Sequence, residues 1–227
     1  MFKSLAAIVA GTTLLAGATS AGAAVTVDLA GHVNGSWSSE AFFGIPTGDA
    51  VVLGGVTFDI HAAGGNAAYV LFDSTPLSIA TNVYGVTEVH TLLNTLWGHA
   101  DASTLSVTFN GSGGATQTFA LVGNDDVRDY FQNTYTNAIN GVTTQQVFAN
   151  GPRRLDRQTF VLDPTFATQT LTSIVFTDTG ATGYQRGVLT GLTLQTAVVP
   201  EPASWAVMIL GFGAAGSALR RRRAALA

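Results

Sequence analysis

The chain has 227 residues, 47% of them hydrophobic and 11% charged, with 26 glycines and no cysteine. This composition sustains a packed core and excludes a disordered chain, disulfides and thiolate metal sites. Away from the two ends, five arginines stand against 13 acids, a net charge of −8 that argues against nucleic acid and anionic membrane as partners of the folded body.

Residues 1–24 open on a single positive charge, Lys3, followed by an apolar run from Leu5 to Ala18 and the small-residue site Ala21-Gly22-Ala23. Those are the three parts of a secretory signal peptide, so the chain is expected to pass the Sec translocon and to be cut after Ala23 or Ala24. Residues 25–199 are then expected to form one domain, large enough to bury about 70% of its unfolded surface.

Short apolar or alternating runs recur through that body between turn signals. Val51-Val52-Leu53 and Val56–Ile60 flank Gly54-Gly55. Leu105–Phe109 leads into Asn110-Gly111, and Thr116–Val122 follows Gly113-Gly114, which predicts a hairpin turning on the Asn-Gly pair. A strand is read at Leu92-Leu93, and others over 143–148, 158–162, 171–177 and 188–194. The stretch 125–131 predicts one short turn of helix capped by Asn124 or Asp125. With no longer helix and no alternation of strand and helix, the expected fold class is all-β, a single antiparallel β-sandwich of the jelly-roll kind.

Candidate chemistry is sparse. His32, His61, His90 and His99 stand outside any HExxH pattern, and no G-x-S-x-G or phosphate-cradling glycine motif occurs, so the body is read as non-enzymatic. Asn124, Asp125, Asp126 and Asp129 offer the oxygen ligands calcium prefers. The same residues suit a helix start whose acids complement the dipole while Arg128 pairs locally, and no metal or other cofactor is assigned. Sugar binding needs an exposed ring to lie against the pyranose and polar groups for its hydroxyls. Asn94, Trp97 and His99 are the candidate ligand-binding set, with Trp37 and Tyr184 as further rings, against the alternative that a tryptophan here packs in the core. His90 keeps phase with Glu88 and Leu92 and reads as a satisfied or edge histidine. Arg153-Arg154-Leu155-Asp156-Arg157 is either a solvated loop or a local site for an acidic polysaccharide.

Residues 200–227 form the last element. Pro200-Glu201-Pro202 precedes an uncharged stretch from Ala203 to Leu219, about 25 Å long as a helix and at the short limit of a bilayer span. Arg220, Arg221, Arg222 and Arg223 follow as a stop-transfer cluster that stays cytoplasmic. Pro200, Glu201, Pro202, Ala203 and Trp205, then Gly211-Phe212-Gly213 and the arginines, resemble the PEP-CTERM sorting signal, in its PEPxA-type variant. The resemblance implies recognition and cleavage by an exosortase near Pro200-Glu201-Pro202. The chain would be held briefly in the inner membrane by its C-terminal helix and then reach the cell envelope, outer surface or medium.

A second resemblance concerns the body. VTEVHTLLNTLWGHA, LSVTFNGSGGATQTFALVGNDDVRDYF and LTSIVFTDTGATGYQRGVLTGLTLQ resemble successive blocks of galactose-binding-like jelly rolls, with Gly123, Asp126, Val127, Arg128 and Asp129 at a corner of the unit. Such domains include sugar binders, protein binders and inert modules. The functional expectation is therefore an exported, non-enzymatic protein associated with exopolysaccharide or biofilm matrix. The alternatives are a structural or adhesive matrix protein that binds other proteins and, third, an extracellular hydrolase.

Overall fold

A computed structural model describes residues 22–37, 44–100, 104–133, 135–180, 184–197 and 208–216. It separates into two units, the body Gly22–Ala197 and a second unit made of both chain ends. Residues 1–21 of the expected signal peptide lie outside the described residues, as do Pro200, Glu201, Pro202, Ala203, Trp205 and the four arginines of the tail. Within the second unit, residues 208–216 are helical and exposed. Among the described residues, no helix is long and apolar enough to cross a membrane.

The body is all-β and antiparallel in every strand pairing. Its larger sheet runs β11 (Thr144–Asn150), β12 (Arg153–Val161), β8 (Val86–Leu96), β14 (Arg186–Thr196), β6 (Asn66–Phe72) and β2 (Gly35–Ser36). The short strands β1 (Ala24–Thr26) and β5 (Ala62–Ala63) add to β14 and β6. A second sheet runs β10 (Thr116–Leu121), β9 (Leu105–Gly111), β13 (Thr170–Asp178) and β7 (Leu77–Tyr84), and a separate hairpin joins β3 (Gly48–Leu53) to β4 (Val56–Ile60).

Two cores follow from this layering. Val89, Leu93, Leu189 and Phe160 of the large sheet meet Val107, Phe109, Ile174 and Phe176 of the four-stranded sheet. Ring pairs lock the two sheets together, Phe109 to Phe160 at 5.5 Å and Phe72 to Phe176 at 5.6 Å. On the opposite face of the large sheet, Phe58 and Ile60 of β4 cover Leu92, Leu155 and Val188. β8 is therefore buried on both faces, and successive residues Leu92 and Leu93 serve different cores. Gly54 and Gly55 take φ of 57° and 81°, which the tight β3–β4 turn requires.

Three expectations are corrected. The β9–β10 hairpin does not turn on Asn110-Gly111, because Asn110 pairs with Thr116 inside the ladder and the chain reverses over Ser112–Ala115, where Gly114 has φ 86°. Residues 125–131 form no helix. The amides of Asp125, Asp126 and Val127 all converge on the Val122 carbonyl, and Val127 bridges back to Gly123 as a closed turn. Arg153–Arg157 is strand β12 and not a solvated loop, since it is laddered to β11 and β8.

Both ends of the body meet on β14. β1 runs antiparallel to β14, Gln195 Nε2 donates to Gly22 O at 2.6 Å, and Thr196 N donates to Ala23 O at 3.0 Å. The chain thus enters the sheet beside the strand by which it leaves.

Candidate functional site

Three segments far apart in sequence build one cleft. Trp97, Gly98 and His99 follow β8, Tyr135 comes from the connection between β10 and β11, and Tyr184 immediately precedes β14; together they line a cavity of about 520 Å³. The three rings are exposed, Trp97 by 46%, Tyr135 by 50% and Tyr184 by 70%. Trp97 has φ 53°, a left-handed conformation that a bulky side chain adopts only at a cost.

Buried polar groups hold that backbone in place. Asp129, 1% exposed, accepts from Gly98 N at 3.3 Å and from Phe131 N at 2.8 Å, and it bridges to Thr95. Burial pushes its carboxyl above the ordinary aspartate range, against the opposing pull of those backbone amides. Gln185 is a second brace, because its Oε1 accepts from His99 N at 2.8 Å while its Nε2 donates to Thr104 Oγ1 and Asp178 Oδ1. One buried amide thereby couples the wall carrying His99 to the wall carrying Tyr184. His99 Nδ1 lies 2.7 Å from the Ala100 carbonyl, which can only accept, so a neutral ring leaves Nε2 as an acceptor for a hydroxyl.

Gly123 stands directly beneath this wall, where a Cβ would lie 1.9 Å from the His99 carbonyl oxygen. Gly123→Ala is expected to cost about 1–3 kcal/mol through that overlap, measured by urea unfolding. Gly31→Ala, where a Cβ meets nothing within 4 Å, is the control, and equal midpoints for the two variants would contradict the close approach.

The sequence candidates divide. Trp97, His99 and Tyr184 come together, and Tyr135 joins them without any signal beyond being one more tyrosine. Asn94 does not reach the cleft. It is 1% exposed, donates from Nδ2 to Asp156 Oδ2 and the Arg128 carbonyl, and accepts from Asp156 N. Trp37 is core, with its ring 4.7 Å from Tyr69 and 5.1 Å from Tyr130. His90 is buried between Glu88 at 3.1 Å and Thr159 at 3.2 Å, and burial lowers its affinity for a proton.

The side-chain oxygens of Asn124, Asp126 and Asp129 brace the surrounding loops. Asn124 Oδ1 accepts from Asn137 N and Ala138 N, and Asp126 accepts from Val122 N and Asn140 Nδ2. Among the described residues, the ligand atoms close enough to share a cation are those of Asp28, Asp59 and His61. His61 Nε2 lies 2.7 Å from Asp28 Oδ1 and 3.7 Å from Asp59 Oδ2, an ion-pair cluster joining the end of β4 to the chain after β1.

The hydrogen-bonded body ends where Ala197 N donates to Gly85 O at 2.7 Å, three residues before Pro200-Glu201-Pro202. Residues 198–223 match the PEP-CTERM protein-sorting motif. The chain carries a PEP-CTERM tail. That motif marks an exported protein, anchored in the membrane before cleavage. The PEP-CTERM match covers the tail alone, and no curated protein matches the chain. Within the PEP-CTERM segment the order is Pro200-Glu201-Pro202-Ala203-Ser204-Trp205-Ala206, so Ser204 stands where the PEPxA spacing wants alanine, and that finer variant is not met.

Proposed function

We propose that this is a non-enzymatic carbohydrate-binding protein, cut by an exosortase at its PEP-CTERM motif and retained in or released to an exopolysaccharide matrix. The observation that carries the proposal is the cleft in which Trp97, Tyr135 and Tyr184 present exposed rings from three separate segments. Flat aromatic faces suit the apolar face of a pyranose, and the His99 imidazole supplies a hydroxyl partner. The strain at Trp97 supports it further, since a bulky residue is held at φ 53° outside both core clusters, with 46% of its surface exposed. The two-sheet body is compatible with the galactose-binding-like jelly-roll resemblance. Its adjacent entry and exit suit a domain delivered by a leader at one end and a tail at the other.

Trp97→Gly separates a binding role from a packing role. Glycine accepts positive φ without penalty, so the variant is expected to match or exceed the native stability by up to about 1 kcal/mol. It is also expected to lose about tenfold or more in affinity for the oligosaccharides that the full-length chain, purified in detergent, retains on a glycan array. Loss of stability with unchanged retention would reverse the assignment. Retention of proteins and of no glycan would favour the adhesive alternative.

A further inference from the structure

Three of the five arginines in an otherwise acidic body converge on one cavity. Arg128, Arg153 and Arg154, with Asn133, Asn137 and Gln146, line a space of about 290 Å³ whose walls contain no acidic side chain among the described residues. Such a concentration of one sign is not a by-product of composition, because acids outnumber arginines 13 to five between the two ends.

Two of the three guanidinium-bearing side chains are buried and held by hydrogen bonds. Arg128 is 8% exposed and Arg154 5%. Arg128 forks onto Asp156 with two contacts of 2.7 Å and also donates to the Asn137 carbonyl and Gln146 Oε1. Arg154 donates only to neutral oxygens: from Nε to the Asp129 carbonyl, and from Nη2 to the Thr136 carbonyl and Asn137 Oδ1. Among the described residues, no hydrogen bond uses Arg154 Nη1. Burial, then the neighbouring Arg128 charge, pulls Arg154 below the ordinary guanidinium range, which is the environment an added anion relieves. Arg153 completes the wall, held over the Phe131 ring at 5.3 Å.

The cavity and the aromatic cleft draw on one short segment of chain. Gln132, Asn133 and Asn137 line the arginine side, and Tyr135 between them lines the aromatic side. We infer that the arginine cavity takes the anionic substituent, carboxylate or sulfate ester, of a sugar whose neighbouring ring lies in the Trp97 cleft, so that the ligand is an acidic polysaccharide. A held guanidinium donates to carboxylate and sulfate oxygens in a defined geometry, and Arg154, whose described hydrogen bonds go to neutral oxygens, gains more from an anion than from a neutral sugar. The inference rests on the carbohydrate-binding proposal above and specifies its ligand class.

Ala149 gives a test that spares the buried network, because it is exposed on β11 and lines the cavity. The full-length chain and its Ala149→Glu and Ala149→Gln variants are titrated calorimetrically with hexagalacturonate, with sulfated galactose hexamer and with neutral galactose hexamer. The native chain is expected to bind one of the acidic hexamers about tenfold or more tightly than the neutral one, with the preference shrinking as salt rises. Which acidic hexamer wins identifies the substituent. Ala149→Glu is expected to weaken the acidic ligand about tenfold and leave the neutral one unchanged, while Ala149→Gln stays within about twofold of native for both. Equal affinity for acidic and neutral hexamers, or equal losses for both in Ala149→Glu, overturns the anion site and leaves the carbohydrate proposal standing. No binding of any hexamer by the native chain overturns both.

Discussion

Asp156→Ala is expected to lower the stability of the body by about 3–5 kcal/mol, read from urea midpoints of the full-length chain. Asp156 is fully buried at the centre of the network, where its carboxylate receives both contacts of the Arg128 fork and the Asn94 amide. Truncating it strands a guanidinium that is 9% exposed at the side chain, and an unpaired buried charge is among the most costly defects a domain can carry. Against a typical total of about 5–15 kcal/mol, the loss is about a fifth or more. The paired replacement Arg128→Met with Asp156→Leu is expected to recover most of it, since the cost lies in the orphaned charge and not in the missing attraction. A single variant at native stability would show that water reaches Arg128 and that the pair is not buried. The pairing also aims Arg128 along the wall of the arginine cavity, so its loss removes the anion site as well as stability.

This network shows where sequence reasoning stops. The Gly54-Gly55 hairpin, the β9–β10 pair, the strands β11, β13 and β14 and the second half of β12 are legible because local period and turn residues act over a few positions. β8 is harder, because a strand buried on both faces shows no alternation: Val89 to Thr95 are all buried, polar residues included. β6 is not read from the sequence, since Ala67-Ala68-Tyr69-Val70-Leu71-Phe72 offers a continuous apolar run with no period to choose strand over helix. Asn94 looked available for a ligand only because nothing local says that Asp156, 62 residues away, takes its amide. Trp97, His99 and Tyr184 could be singled out by residue type, but Tyr135 joins them through a loop whose path depends on Asn124, Asp129 and Thr136. Arg153 and Arg154 likewise read as part of a charge run, and only β12 brings Arg154 inward beside Arg128.

Glu201→Ala is expected to abolish C-terminal processing outright, leaving the whole population as a membrane-held precursor. The PEP-CTERM segment lies beyond Ala197, where the last hydrogen bond of the body is made, so the substitution touches none of the described contacts of the body and its effect falls on recognition alone. Unfolding midpoints of the variant are therefore expected to equal those of the native chain. A variant that is cleaved normally would remove Glu201 from the recognition element, and one that is unstable would show that the tail contributes to the body's fold.

The most direct test of export and sorting is the intact mass of the native protein recovered separately from cell envelope and from medium. The expected mass is that of a chain beginning at Ala24 or Val25 and ending near Pro200-Glu201-Pro202. Recovery of the untrimmed 227-residue, 23.4 kDa chain as the stable form in either fraction would contradict it.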